Sequence, residues 1–156
     1  MTAFLLSVHV LAAILAVGPV AIAASMFPPA AGAAHRDHED ARKAATVQVL
    51  HRITRVYATI AIFVPVFGLA TGARLGVLGD AWLIASMILT AAAAVVLIAL
   101  ILPGQSRFIA VIGVPGNDAD ALRKRLAMQT GIFNLLWAVV VVLMIYRPGS
   151  TTGVGL

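Results

Sequence analysis

The sequence predicts an all-α integral membrane protein with four transmembrane helices in an up-down-up-down bundle. Hydrophobic residues make up 62% of the 156 residues and charged residues only 11%, which is outside the range of soluble globular domains. Apolar stretches of about 20 residues, long enough to cross a hydrocarbon core as helix, occur four times. Their richness in alanine and leucine, without dyad alternation, favours helices over strands.

Prolines and charges mark the limits of the four predicted spans. Pro28-Pro29, Pro103-Gly104 and Pro148-Gly149 are expected to end the first, third and fourth helices, because proline lacks a backbone donor. The first span has no basic residue before it and is too long for the core of a signal peptide, so we expect it to be retained. The spans cover residues 3–27, 56–73, 81–102 and 126–146.

Basic residues are concentrated on one side of the predicted membrane. Nine Lys and Arg lie in the segments 28–55 and 103–125, against Arg74 and Arg147 on the other side. The positive-inside rule therefore predicts that these segments are cytoplasmic and that both termini lie outside the cell membrane. This pattern accounts for the net charge of +5 without a nucleic-acid partner. Seven of these residues are expected to contact anionic lipid headgroups: Arg42, Lys43, Arg52, Arg55, Arg123, Lys124 and Arg125.

The same charges predict that the second and fourth helices extend beyond the bilayer. Acidic residues precede basic ones at Asp37–Lys43 and again at Asp118–Arg125, which is the order favoured by the helix dipole. We expect extensions of about two to four turns on the cytoplasmic side. His35 and His38 share this first charged segment and are interpreted as members of a solvated loop.

Small and polar residues predict where the helices pack. Gly68 and Gly72 form a small-xxx-small pair that permits close backbone approach, and Pro65 before them predicts a kink that frees the carbonyl of Ala61. Asn134 is expected to hydrogen-bond across helices, on a packing face with Gly131 and Ala138. Four helices make a narrow bundle, so we expect a homo-oligomer or membership of a larger membrane complex.

His9 is the one titratable side chain well inside a span, and such residues are costly enough to suggest function. A neutral histidine could ligate a metal or haem b, with Met87 as a weak second ligand at similar depth. It could equally hydrogen-bond to Ser7, Thr90, Asn134 or water. His51, at the inner edge of the second span, is expected to be interfacial. The chain has no cysteine, which excludes disulfides and thiolate metal sites within it.

Three short motifs resemble those of an uncharacterised bacterial family of four-helix integral membrane proteins. They are a first-span histidine followed by apolar residues and a glycine (residues 9–18), a basic entry and closing glycine pair in the second span (52–55 and 68–72), and a Met-x-aromatic-base-Pro ending (144–148). The sequence departs from the family near residues 16–19, where paired glycines are usual. This family is similar in layout to small membrane proteins that handle haem or copper.

These observations predict a structural or accessory component of a membrane assembly, with no reaction indicated. A haem-, copper- or quinone-linked redox protein that uses His9 is the first alternative. A small oligomeric transporter or channel is the second. No nucleotide-binding, zinc-protease or serine-hydrolase motif is present in the sequence.

Overall fold

The computed structural model describes residues 2–115 and 118–149, and it confirms the all-α, four-helix membrane fold. Four helices are long and apolar enough to cross a membrane: α1, α2 with α3, α4 with α5, and α6. A π-helical segment, Val96–Ile101, joins α4 to α5. The helix bounds are Thr2–Arg36 for α1, Ala41–Ile60 for α2, Phe63–Leu75 for α3, Ala81–Val95 for α4, Leu102–Ala110 for α5 and Ala119–Tyr146 for α6.

The helices pack around a square in chain order. Helix α1 contacts α2 and α3 on one side and α6 on the other, while α4, the π segment and α5 pack on α6. The fourth side is closed mainly by α2 against α5, and α3 barely touches α4. We call the end of the bundle that holds the α1–α2 turn and the α5–α6 connection the basic end.

Two layers of buried side chains fill the bundle. Near the basic end, Phe27 and Phe108 pack edge to face with ring centroids 6.4 Å apart, within a cluster that also holds Leu126. A second cluster towards the middle includes Ile101 and Phe133. Because each layer takes residues from α1, from α2, from α6 and from the helix between Ala81 and Ala110, it fixes the mutual orientation of all four spans.

The prediction that prolines end the first and third helices is wrong. Helix α1 continues through Pro28 and Pro29 to Arg36, and Ala31 and Ala34 beyond them are buried. Packing of these last turns offsets the hydrogen bonds that the prolines remove. In the third span, the wide turn of the π segment ends at Ile101, so Pro103 falls in the first turn of α5, where no N–H is needed.

The second span is interrupted close to the predicted kink. Helix α2 ends at Ile60, Ala61 and Ile62 form a turn, and α3 begins at Phe63. The carbonyl of Ala61 accepts a hydrogen bond from the amide of Val64 at 3.0 Å. A tighter local bond thus replaces the one that Pro65 cannot donate.

At the basic end, α2 and α6 begin well before their apolar spans, as the charge pattern predicts. Asp40 caps α2 by accepting a hydrogen bond from the amide of Arg42 at 2.9 Å. Lys43 pairs with Asp37 and with Asp40, and the hydrogen bond that Lys43 donates to the carboxylate of Asp37 raises the pKa of Lys43 above its ordinary value. The α1–α2 turn therefore already neutralises part of its own basic charge.

At the other end, Trp82 ties the start of α4 to the end of α6. Its ring is buried, its Nε1 donates to the carboxylate of Asp80 at 3.0 Å, and the guanidinium of Arg147 lies 5.4 Å from its centroid. Arg147 caps α6 with φ +45°. Trp82 is thus held between the acidic side chain of Asp80 and the basic side chain of Arg147.

Candidate functional site

His9 binds the neighbouring helix through its ring. Its Nδ1 lies 2.9 Å from the carbonyl oxygen of Val64 in α3, so Nδ1 carries the proton and donates it. The ring covers Gly68, where an added Cβ would lie 2.9 Å from Cε1. Only a residue without a side chain lets the imidazole approach this closely. His9 and Gly68 therefore form one contact that locks α1 to α3.

The side-chain partners predicted for His9 are wrong. Ser7 and Thr90 donate to carbonyls within their own helices, and Asn134 bonds to Ser25. The backbone carbonyl of Val64 is the partner of His9 instead. Sequence polarity cannot reveal such a partner, because every residue carries a carbonyl.

The surroundings of His9 do not fit a haem inside one bundle. A porphyrin requires an open slot beside the ring, whereas here the ring lies on the Gly68 backbone and Ala16 below it is fully buried. Met87 is 42% exposed and belongs to α4, which packs on α6 rather than on α1. Nε2 of His9 has no hydrogen-bond partner in the described part of the chain, but a metal there would need its other ligands from elsewhere.

Gly68 and Gly72 serve two different interfaces. Gly68 faces His9, whereas a Cβ on Gly72 would lie 2.9 Å from Cδ2 of Leu83 in α4. The two glycines of the small-xxx-small pair therefore do not face the same neighbouring helix. It allows α3 to approach α1 and α4 through successive turns.

The polar side chains of α6 are divided between its faces. Asn134 donates from Nδ2 to Oγ of Ser25 at 3.0 Å, while its Oδ1 and the Oγ1 of buried Thr130 lack partners among the described residues. The packing face expected to include Gly131 and Ala138 is wrong, because both are exposed and no atom approaches a Cβ built on Gly131. The sequence does not distinguish a small residue that faces lipid from one that faces another helix, because both surroundings are apolar.

A polar cluster that sequence reasoning missed joins α2 to α5. Gln105 is 1% exposed and its Oε1 accepts from Nδ1 of His51 at 2.9 Å. Nε2 of Gln105 approaches Oγ1 of Thr54 at 3.5 Å, and Oγ of Ser106 lies 3.4 Å from Nε2 of His51. His51 is thus a half-buried helix link rather than a purely interfacial residue. The four-residue spacing of Leu97, Ile101 and Gln105 could have revealed it if the helix had been continued past Pro103.

An apolar cavity of about 120 Å³ lies beside the interruption of the second span. Ala61, Ile62 and Pro65 line one side, and Leu97 and Ile98 of the π segment line the other. Two irregular helical segments, in different spans, therefore meet at one cavity. π-Bulges and broken helices are frequent at functional sites.

The seven predicted headgroup residues lie in different environments. Arg42, Arg52, Arg55, Lys124 and Arg125 are exposed. Lys43 is paired in the α1–α2 turn, and Arg123 is half-buried with Nε 3.2 Å from the carboxylate of Asp120. Contact of the exposed five with headgroups stays a prediction.

His35 does not belong to a solvated loop, contrary to the sequence-based interpretation. It lies in the last turn of α1, with its ring centroid 6.2 Å from that of Phe108 and Nδ1 buried. His38 is exposed in the turn that follows. Among residues 2–115 and 118–149, no three His, Asp or Glu side chains come together as a metal site would require.

Comparisons with models of protein families, with curated proteins and with solved structures return no match. The resemblance to an uncharacterised bacterial family therefore stays a prediction.

Proposed function

We propose that this integral membrane protein is a structural or accessory component of a membrane assembly. The observation that supports this best is the contact of His9 with Val64 and Gly68. An ionisable residue inside a span is usually kept for chemistry, but here its proton and its ring both join two helices. The most unusual polar residue of the bundle thus has a packing role.

Purification of the protein from haem- and copper-replete cells tests this function. We expect no Soret band and no stoichiometric copper, and we expect a specific cross-linked complex of defined mass in native membranes. His9→Gln, which retains an N–H donor, should preserve more stability than His9→Ala. A haem band lost in His9→Ala while the bundle stays folded would contradict the proposal. A chain that remains monomeric in native membranes would also contradict it.

A second candidate is binding or transport of a small apolar molecule. The cavity between the helix interruption and the π segment supports it, because its volume of about 120 Å³ approaches that of engineered cavities that bind benzene. Benzene or xenon should then raise the melting temperature of the parent. Ala94→Phe, which fills the cavity, should abolish that shift, whereas Ala138→Phe on the exposed face should leave it unchanged.

A further inference from the structure

A second, polar cavity lies at the basic end, between α1, α5 and α6. Its volume is about 200 Å³, which corresponds to six or seven waters at about 30 Å³ each. Four of the side chains that line it can form hydrogen bonds: His35, Arg36, Asp120 and Arg123. The cavity is therefore large enough for a tetrahedral oxyanion and has suitable donors.

Gly32 brings two arginines to one point. A Cβ built on Gly32 would lie 2.9 Å from Cδ of Arg123, 3.5 Å from Nε of Arg123 and 3.5 Å from Nη1 of Arg36. Nε of Arg123 and Nη1 of Arg36 both lie 3.5 Å from this Cβ position, so the two nitrogens are separated by at most twice 3.5 Å. The absence of a side chain at Gly32 thus allows Arg123 to cross α1 beside Arg36.

The charge at this point is not balanced by the chain. Asp120 pairs with Nε of Arg123 at 3.2 Å, but its side chain is 84% exposed. The side chain of Arg36 is exposed, and it forms no ion pair or hydrogen bond with any residue in the ranges 2–115 and 118–149. Two guanidinium groups therefore lie close together with one solvated carboxylate, which pairs only with Arg123, and an added anion would relieve their repulsion.

Two more features of the cavity lining can provide hydrogen-bond donors. His35 lines it, and the Nδ1 of His35 is buried without a hydrogen-bond partner. The first turn of α6 also lines it through Ala119 and Asp120, and the side chain of Asp118 does not cap that turn. Free amides at a helix N-terminus favour anions.

We propose that this cavity binds a phosphate group, with Arg36 and Arg123 as its charged ligands and His35 as a further hydrogen-bond donor. Donors from separate elements suit the several oxygens of phosphate better than the two of a carboxylate, and planar guanidinium groups match its edges. The group could belong to an anionic phospholipid or to a soluble phosphate. The proposal does not depend on the accessory function proposed above.

The binding test uses the full chain in a non-ionic detergent, with inorganic phosphate as the probe. Phosphate should raise the melting temperature, and sodium chloride at equal ionic strength should not. Arg36→Gln should weaken apparent phosphate affinity about ten- to hundredfold, the usual effect of removing a hydrogen bond to a charged group. Arg36→Lys keeps the charge but removes the planar guanidinium group with its two parallel N–H donors, so it should also weaken binding.

Arg125→Gln is the matched control, because Arg125 is exposed like Arg36 and carries the same charge but does not line the cavity. It should leave phosphate affinity within about twofold of the parent. Equal losses in Arg125→Gln and Arg36→Gln would overturn the proposal and indicate a general surface-charge effect. The absence of any phosphate-dependent shift in the parent would overturn it as well.

A second arm identifies the source of the phosphate group. In nanodiscs of phosphatidylglycerol, a lipid headgroup that fills the cavity should abolish the shift caused by inorganic phosphate, and native mass spectrometry should show retained lipid that is lost in Arg36→Gln. If a soluble phosphate is the ligand, the shift should persist in these nanodiscs and no Arg36-dependent lipid should be retained. Either result supports the site.

Discussion

Replacing Gly68 by alanine should destabilise the bundle by about 1–3 kcal/mol, the usual cost of overpacking a tight contact. The new methyl group would lie 2.9 Å from Cε1 of His9, and the ring cannot move freely because its Nδ1 is bonded to the carbonyl of Val64 at 2.9 Å. Gly131→Ala is the control, because no atom lies within 4 Å of its added Cβ. It should cause no loss of stability.

A double-mutant cycle tests the cause of this penalty. His9→Ala alone should lose the interhelical hydrogen bond, worth about 0.6 kcal/mol on average, together with the packing of the ring. In that background Gly68→Ala should be close to neutral, because the atom that it would strike is gone. Equilibrium unfolding in mixed micelles, followed by tryptophan fluorescence, measures the stability of the parent, of the two single variants and of the double variant. If the Gly68→Ala penalty is the same with and without the imidazole, our account of this contact is wrong.

Three further predictions concern other parts of the bundle. Gln105→Leu should cost about 1–3 kcal/mol, because it removes the hydrogen-bond partner of half-buried His51 at a position that is itself buried. Gln48→Leu on the exposed face of α2 should be nearly neutral, and equal unfolding midpoints for the two variants would contradict the first expectation. Asn134→Leu should be milder, about 0.6 kcal/mol, and a loss of several kcal/mol would show that its role is larger than one hydrogen bond. With the positive-inside orientation, Gly79→Cys should react with an impermeant maleimide in intact cells and Ala41→Cys should not, so labelling at Ala41 would reverse the topology.

The candidate sites could be predicted from the sequence only in part. His9 and Gly68 were predicted as special residues, because a titratable group and a glycine are both unusual inside a span. Their mutual contact was not predicted, because the hydrogen bond goes to a backbone carbonyl. Gln105 was missed because Pro103 was expected to end the helix before it. The close approach of Arg123 to Arg36 depends on Gly32, whose importance appears only when α6 crosses α1.

The sequence by itself determined the number of membrane-crossing helices and the separation of basic residues to one end. Both follow from hydrophobic length and charge, which act on each segment independently. Tertiary structure decided which face of each helix is buried, since lipid and protein interior are equally apolar and leave no periodic signal. Gly131 and Ala138 therefore lie outward although their pattern predicts packing. Helix α1 continues past its prolines because burial beyond them offsets the lost hydrogen bonds, and the third span continues because its π segment places Pro103 where no N–H is needed.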